Sequence, residues 1–285
     1  QGKLVCLQIL DVGSRIRWHV FLIRSHVFTM MWVAAGIIAI SVVLPFLQRS
    51  GIFGKLLAHK HIALVVAHPD DEAMFFWPTL SQLRAAGVTI SVLCLSTGNF
   101  DGLGDIRKRE MEKSCMQIGV TGDDLQILDD PKLQDGWQKW PSSHVAHKAL
   151  RFLVESKASA LLTFDERGVS GHPNHISASE GVLEAWQLAK KQSDLPPFEL
   201  FMLQSVPFYR KYLGPFGSLF PSGNSDAEAV SGNPFASLKA LSAHWSQLVW
   251  YRILFALASH YGYANSYVSY GFNKKLAKEM ETKQK

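Results

Sequence analysis

HIALVVAHPDDE, residues 61–72, decides how this chain is read. His61 opens a short apolar, β-branched run through Ala67, the pattern of a strand buried on both faces in a parallel sheet. His68, Pro69, Asp70, Asp71 and Glu72 follow at once. In open α/β sheets, ligands bind beyond the carboxyl ends of strands, so the acids and the histidine stand where a site belongs. A carboxylate at a helix entrance often serves as a cap. Capping accounts for any one of these acids, but not for a histidine with three acids behind it.

The surrounding sequence repeats the strand-then-helix rhythm. Residues 70–87 read as a loop turning into a helix, and 88–95 (VTISVLCL) as a second strand. Turn-rich residues 96–105 lead into a helix over 105–119, with Asp105 as N-cap and Gly119 as stop. A short strand is expected at 125–128, a helix at 142–155, a buried strand at 158–164 (ASALLTF) and a helix at 175–191. This alternation predicts an α/β fold, a Rossmann-like parallel sheet with helices on both faces. The Pro-, Gly- and Ser-rich residues 214–234 read as a loop or insertion.

A second cluster, GHPNH at 171–175, follows the strand at 158–164 through a loop holding Asp165, Glu166 and Arg167. Two histidines three apart at a helix entrance can face one direction. Alone, His172 and His175 would pass for a surface pair. Beside a second polar cluster at the end of another buried strand, they suggest one shared crevice. Imidazole and carboxylate suit Zn²⁺, and a catalytic zinc takes three protein ligands and leaves a position open. His68, Asp71 and His175 would supply the three. Asp70 would remain as an unliganded carboxylate able to take a proton from a water at the metal. His172 would face the developing oxyanion or the leaving amine.

Upstream, residues 27–47 (VFTMMWVAAGIIAISVVLPFL) contain no charge and are framed by Arg24 and Arg49. At ~1.5 Å per residue the run spans roughly 30 Å, the thickness of a bilayer core. A buried core helix of this length would normally show a polar face. A cleavable signal peptide would have a shorter apolar run and an Ala-x-Ala site. A single transmembrane helix is therefore expected. Flanking charge does not orient it, since Arg15, Arg17 and Arg24 precede it and Arg49, Lys55 and Lys60 follow. The formal charge of +5 is compatible with anionic lipid headgroups but too scattered for a nucleic-acid surface. Cys6, Cys94 and Cys115 are far apart and odd in number, which speaks for reduced thiols rather than a disulfide framework or a cysteine zinc site.

AHPDDE and HPNH, in this order and ~100 residues apart, resemble the LmbE-like zinc deacetylases. The chain is most similar to their N-acetylglucosaminyl-phosphatidylinositol de-N-acetylase branch, the PIG-L type. Further points of likeness are STGN at 96–99, the Arg-x-x-Glu of Arg107 and Glu110, and Asp135 in LQDG. The resemblance covers about 61–272. It implies His68, Asp71 and His175 as metal ligands, Asp70 as general base and His172 as transition-state stabiliser. It also implies that Arg107 and Asp135 contact the sugar or its inositol. The activity it implies is removal of the N-acetyl group from N-acetylglucosaminyl-phosphatidylinositol, the second step of GPI-anchor synthesis. The expected setting is the endoplasmic reticulum membrane, crossed once, with the catalytic domain on the cytosolic side. The expected layout is an N-terminal segment at 1–26, a transmembrane helix at 27–47 and the catalytic domain at 58–285. A segment at 244–252 (HWSQLVWYR) also resembles the PIG-L type, with no role that its residues disclose. Two other readings stay open: an LmbE-like deacetylase of another N-acetylated amino-sugar conjugate, and a non-catalytic, membrane-anchored metal-binding scaffold.

Overall fold

The computed structural model describes residues 54–192, 194–220, 225–231, 233 and 235–271, together with Trp32. By its contacts the chain divides into two units, Gln1–Leu44 and Pro45–Lys285. The expected transmembrane segment, 27–47, lies outside the described residues except for Trp32, which is helical and exposed. No helix among the described residues is long and apolar enough to cross a membrane.

The second unit is built on a seven-stranded sheet. The run HIALVV forms β1 (His61–Val66), and everything in it after His61 is fully buried. A strand without a polar face needs cover on both sides. Truncating a side chain such as Leu64 to Ala at such a site costs ~2–5 kcal/mol. The helix α1 (Trp77–Ala85) leads to β2 (Thr89–Cys94), and α2 (Gly104–Met116) leads to β3 (Leu125–Ile127). After α3 (Ser142–Ser156) the chain returns as β4 (Ala160–Phe164), and α4 (Pro173–Lys191) precedes β5 (Glu199–Leu203). These five strands are parallel, in the order β3-β2-β1-β4-β5. The chain therefore winds outward from β1 to β3, then crosses back to lay β4 on the other flank of β1. Right-handed crossovers place the helices of the two halves on opposite faces. The reversal opens a crevice between the carboxyl ends of β1 and β4, and HPDDE and GHPNH follow those two strands.

The expectation of a parallel sheet is corrected at its far edge. β6 (Ala227–Val230) lies inside the stretch expected to be loop, and β7 (Ala264–Tyr270) runs antiparallel between β5 and β6, so the sheet is mixed. The sequence ANSYVSY gives β7 no apolar run, because its inward polar groups are satisfied by specific partners. Asn265 bonds Thr79 and the carbonyl of Phe75, and Ser266 bonds Glu228. Between these strands lie the short helix α5 (Ala236–Leu241) and α6 (Trp250–Ala258).

Element ends differ from expectation where local chemistry overrides the apolar pattern. α2 begins with Leu103 at the N-cap position, so Asp105 lies in the first turn, where it still meets the positive end of the helix dipole. α4 starts at Pro173, whose fixed φ suits the first helical position and makes His172 the N-cap. The core reaches back to the fully buried Leu56, ahead of the expected boundary at 58. Cys94 and Cys115 are free and buried.

Candidate active site

The crevice at the β1/β4 switch holds a cavity of about 410 Å³. All seven side chains singled out in the sequence line it: His68, Asp70, Asp71, Arg107, Asp135, His172 and His175. A larger groove of about 630 Å³ runs beside β3, but Lys108 and Glu112 are its only charged lining residues, and it carries no comparable chemistry.

The tautomers of two histidines follow from their neighbours. His68 Nε2 lies 3.0 Å from Asp135 Oδ1 and 3.0 Å from Asn174 Oδ1, both acceptors. Nε2 therefore carries the proton and Nδ1 the lone pair. His175 Nδ1 lies 3.1 Å from the Gly168 carbonyl, which can only accept, so the lone pair of His175 is on Nε2. His175 is held flat by stacking on Phe164, with centroids 4.3 Å apart and planes 3° from parallel. Gly168 has φ +60°, and a Cβ there would meet the Cβ of His175 at 2.8 Å, which requires glycine for this approach.

The two lone-pair nitrogens, His68 Nδ1 and His175 Nε2, face each other at 3.3 Å. Asp71 completes the group. Its Oδ2 accepts the backbone N–H groups of Ala67 and His68 at 3.0 and 2.8 Å, leaving Oδ1 at 3.2 Å from His175 Nε2. His68 Nδ1 stands 3.9 Å from Asp71 Oδ2. Three electron-pair donors pointed at one another repel unless a cation lies among them. Tetrahedral zinc with ~2.0–2.2 Å bonds separates its ligand atoms by ~3.3–3.6 Å, close to what these residues present. The Asp135–His68 and Gly168–His175 bonds are the outer contacts by which a metal-binding histidine is usually oriented. The same crowding attracts a proton in the absence of a cation. Burial opposes charge on His68, yet the Asp135 hydrogen bond and the Asp71 charge outweigh it and raise its pKa. Burial likewise opposes charge on Asp71, and His175 and His68 overcome it and hold that carboxyl well below its ordinary range.

His172 also approaches this point: one nitrogen from each of His68, His172 and His175 lies within 4.8 Å of the others. As N-cap of α4, His172 accepts the Asn174 N–H on Nδ1 at 3.3 Å. Its Nε2 is then the protonated nitrogen. Burial, and after it the charges of His68 and His175, lower its pKa to about 4, which keeps it a neutral N–H donor at physiological pH.

Asp70 is buried between two arginines. Arg107 Nη2 lies 3.3 Å from its Oδ1 and Arg252 Nη1 lies 3.0 Å from its Oδ2. Its φ of 116° is in the region that L-residues avoid, a strain that persists only where surrounding contacts enforce it. Arg107 donates at 2.8 Å to the carbonyls of both Pro69 and Gly98, so it clamps the acidic loop as well as facing the cavity. Gly98, at φ +66°, leaves room for that guanidinium, which a Cβ would meet at 2.5 Å. Asp135 holds His68 and also pairs with Arg107 at 3.4 Å.

Several contributors were not legible in the sequence. Asn174, between the two histidines of HPNH, orients His68. Glu72 is fully buried against His244, with Oε1 2.6 Å from Nε2. Glu110 accepts the backbone N–H and the hydroxyl of Ser246, each at 2.7 Å. These two acids fasten the 244–252 segment beside the cavity, and Gln247, Tyr251 and Arg252 line its wall. The signal was present as a cluster of His, Ser, Gln and Arg among aromatics, but no local rule connects it to residues 136 and 172 positions away.

The family model described as "GlcNAc-PI de-N-acetylase", PIG-L, matches residues 63–186. The probable N-acetylglucosaminyl-phosphatidylinositol de-N-acetylase of Schizosaccharomyces pombe is 32% identical over 244 residues, which cover 81% of this chain and 96% of that protein. The Bos taurus de-N-acetylase of the same name is 34% identical over 208 residues, covering 71% of this chain and 81% of that protein. Among solved structures, N,N'-diacetylchitobiose deacetylase from Pyrococcus horikoshii shares the fold, with a TM-score of 0.56, 16% identity, and coverage of 84% of this chain and 93% of that one.

Proposed function

Because the chain belongs to the PIG-L family of GlcNAc-PI de-N-acetylases, we propose that it hydrolyses N-acetylglucosaminyl-phosphatidylinositol to glucosaminyl-phosphatidylinositol and acetate, the second step of GPI-anchor synthesis. The chain is a deacetylase of the LmbE-like fold. The observation that carries the mechanism is the meeting of three electron-pair donors, His68 Nδ1, His175 Nε2 and Asp71 Oδ1, beside a second acid, Asp70, that is not one of them.

His68, Asp71 and His175 would hold zinc. Zinc supplies Lewis-acid chemistry when bound: it polarises an amide carbonyl and acidifies water. Asp70 takes a proton from the attacking water as its oxygen bonds the acetyl carbon. Nε2–H of His172 donates to the oxyanion that develops on the carbonyl oxygen. The proton on Asp70 passes to the sugar nitrogen as the C–N bond breaks, giving a free amine and acetate. Arg107 and Asp135 face the sugar or inositol while holding Asp70 and His68 in place.

In this proposal the uncharged run 27–47 would anchor the domain in the endoplasmic reticulum membrane, crossed once, with the catalytic domain on the cytosolic side. The uncharged run and the lipid-linked substrate named for the relatives support that placement. The test is release of acetate from N-acetylglucosaminyl-phosphatidylinositol, with and without a chelator, beside the same headgroup lacking acyl chains. Chelator-sensitive turnover of the lipid supports the proposal. Turnover of other amino-sugar conjugates alone favours a different LmbE-like substrate. Bound metal without turnover favours a scaffold, and turnover indifferent to chelator removes the metal from the mechanism.

A further inference from the structure

The residues outside the catalytic loops include one large exposed apolar face. α6 reads WYRILFALA, and among its residues only Ala256 is buried. Trp250, Leu254 and Leu257 stand at i, i+4 and i+7 on one side, 74%, 55% and 38% exposed. The neighbouring turn Phe208–Lys211 and the residues after it present Phe208, Tyr209, Tyr212 and Leu213, all exposed. The two groups join through rings: Phe208 lies 5.1 Å from Tyr212, and Tyr212 lies 6.4 Å from Phe255 of α6. Such a continuous apolar surface marks an interaction site rather than ordinary scatter.

Two observations identify what covers it. The first is position. α6 sends Tyr251 and Arg252 into the cavity wall and Trp250, Leu254 and Leu257 outward, so the apolar face starts at the rim of the active site. The second is charge. No Asp or Glu occurs between Glu199 and Asp226, nor anywhere in 229–271, whereas the half-buried Lys211 and the exposed Lys239 do; Arg210 is buried and Arg252 faces Asp70. Aromatic side chains over a basic, acid-free background are the composition of a surface that lies in an anionic lipid interface.

We propose that α6 and the 208–213 turn dock on the phospholipid bilayer that carries the substrate, so that the cavity mouth meets the headgroup at the membrane surface. The proposal rests on the reading that the substrate is lipid-linked. The acyl chains stay in the bilayer beneath Trp250, Leu254 and Leu257, and only the sugar headgroup enters the 410 Å³ cavity.

The experiment uses the full chain in vesicles of phosphatidylcholine and phosphatidylinositol. A nitroxide is placed at Leu254→Cys, with Cys6→Ser removing the thiol outside the described fold. The expected result is a probe accessible to oxygen and shielded from a water-soluble nickel complex in the vesicles. A nickel-accessible probe in vesicles overturns the proposal. So does dipolar broadening between probes on neighbouring chains in the vesicles, which reports cover by a second copy. In parallel, the Trp250→Ser, Leu254→Ser, Leu257→Ser variant is assayed on the vesicle-borne lipid and on the headgroup without acyl chains. Turnover of the lipid should fall about tenfold or more, the worth of losing this much buried apolar area, with the chain-free headgroup turned over as before. Equal rates on the lipid for variant and parent, or an equal fall on both substrates, overturn it. A parent chain inactive on both substrates breaks the functional reading instead, and the probe measurement still decides the docking.

Discussion

The loops after β1 and β4 and the segment at 244–252 meet in one cavity, yet they are assembled by opposite means. The first two take their places from the sheet: a parallel pair 61–66 and 160–164 brings His68 within 3.3 Å of His175 as a direct result of strand register. The third has no strand beneath it. It is held by Glu72–His244 and Glu110–Ser246, contacts that reach across 172 and 136 residues. The fold itself positions the chemistry, and a buried charge pair positions the wall that surrounds it. Perturbing the first should therefore abolish catalysis with the fold retained, and perturbing the second should unsettle the fold.

The largest effect is expected at the ligands. His68→Ala, Asp71→Ala and His175→Ala should each lose bound metal and all measurable deacetylation, because each removes one of three protein bonds. Metal content by elemental analysis checks this, with His172→Ala as the contrast that keeps its metal. Metal lost from His172→Ala but retained by Asp71→Ala would make the site a three-histidine one.

Asp70→Asn should keep metal and fold and slow hydrolysis by roughly 10²–10⁴, the usual worth of a positioned base. Asp71→Asn should lower metal affinity and recover with added zinc. Rescue of Asp70→Asn by zinc would contradict the division of labour between these neighbouring acids.

On the other side of the comparison, His244→Ala leaves the Glu72 carboxylate buried without its partner. The expected loss is ~3–5 kcal/mol, which corresponds to a fall in Tm of roughly 6–20 °C for a domain of this size. Calorimetry of parent and variant would show it, and an unchanged Tm would mean that the segment is held by its apolar contacts alone. Arg252→Gln touches the same wall from the cavity side. It removes a guanidinium 3.0 Å from Asp70 but buries nothing new. Turnover should fall about tenfold, ~1.4 kcal/mol in the barrier, with Tm little changed.

What could be read from the sequence divides along the same line. Strands β1, β2 and β4 are continuous apolar runs, and the catalytic residues follow them within a few positions, so pattern and spacing located both. β7 was hidden because its buried Asn265 and Ser266 are polar, their partners lying on distant elements. Asp135 was expected at the substrate and is found bonded to His68, a placement that depends on where the 130s loop returns in three dimensions. Arg252 and His244 were noticed as part of a segment without a role. A lone arginine or histidine carries no spacing rule, and only the folded chain shows which acid it meets.

The smallest effect, and the one most specific to the buried pair, is its pH dependence. Burial opposes charge on both members, but their mutual attraction prevails: the His244 pKa is raised and the Glu72 pKa is lowered. Unfolded, the two would titrate near 6.5 and 4.5. Between these values both states carry the same protons, so the pair's contribution is complete and flat. Above 6.5 the unfolded His244 releases its proton while the folded one retains it, so stability falls as pH rises through the folded pKa. Below 4.5 the unfolded Glu72 takes up a proton that the folded one refuses, so stability falls as pH drops. Each slope is limited to about 1.4 kcal/mol per pH unit, the value for one proton. In the double variant Glu72→Gln, His244→Gln, both groups are neutral and neither slope can arise. The difference in unfolding free energy between parent and double variant, measured by denaturant titration across this range, should form a plateau between the two values with a decline on each side. A difference that stays constant with pH would show that the two groups bind protons alike in the folded and unfolded chain, so that their mutual attraction does not hold the 244–252 segment to the acidic loop.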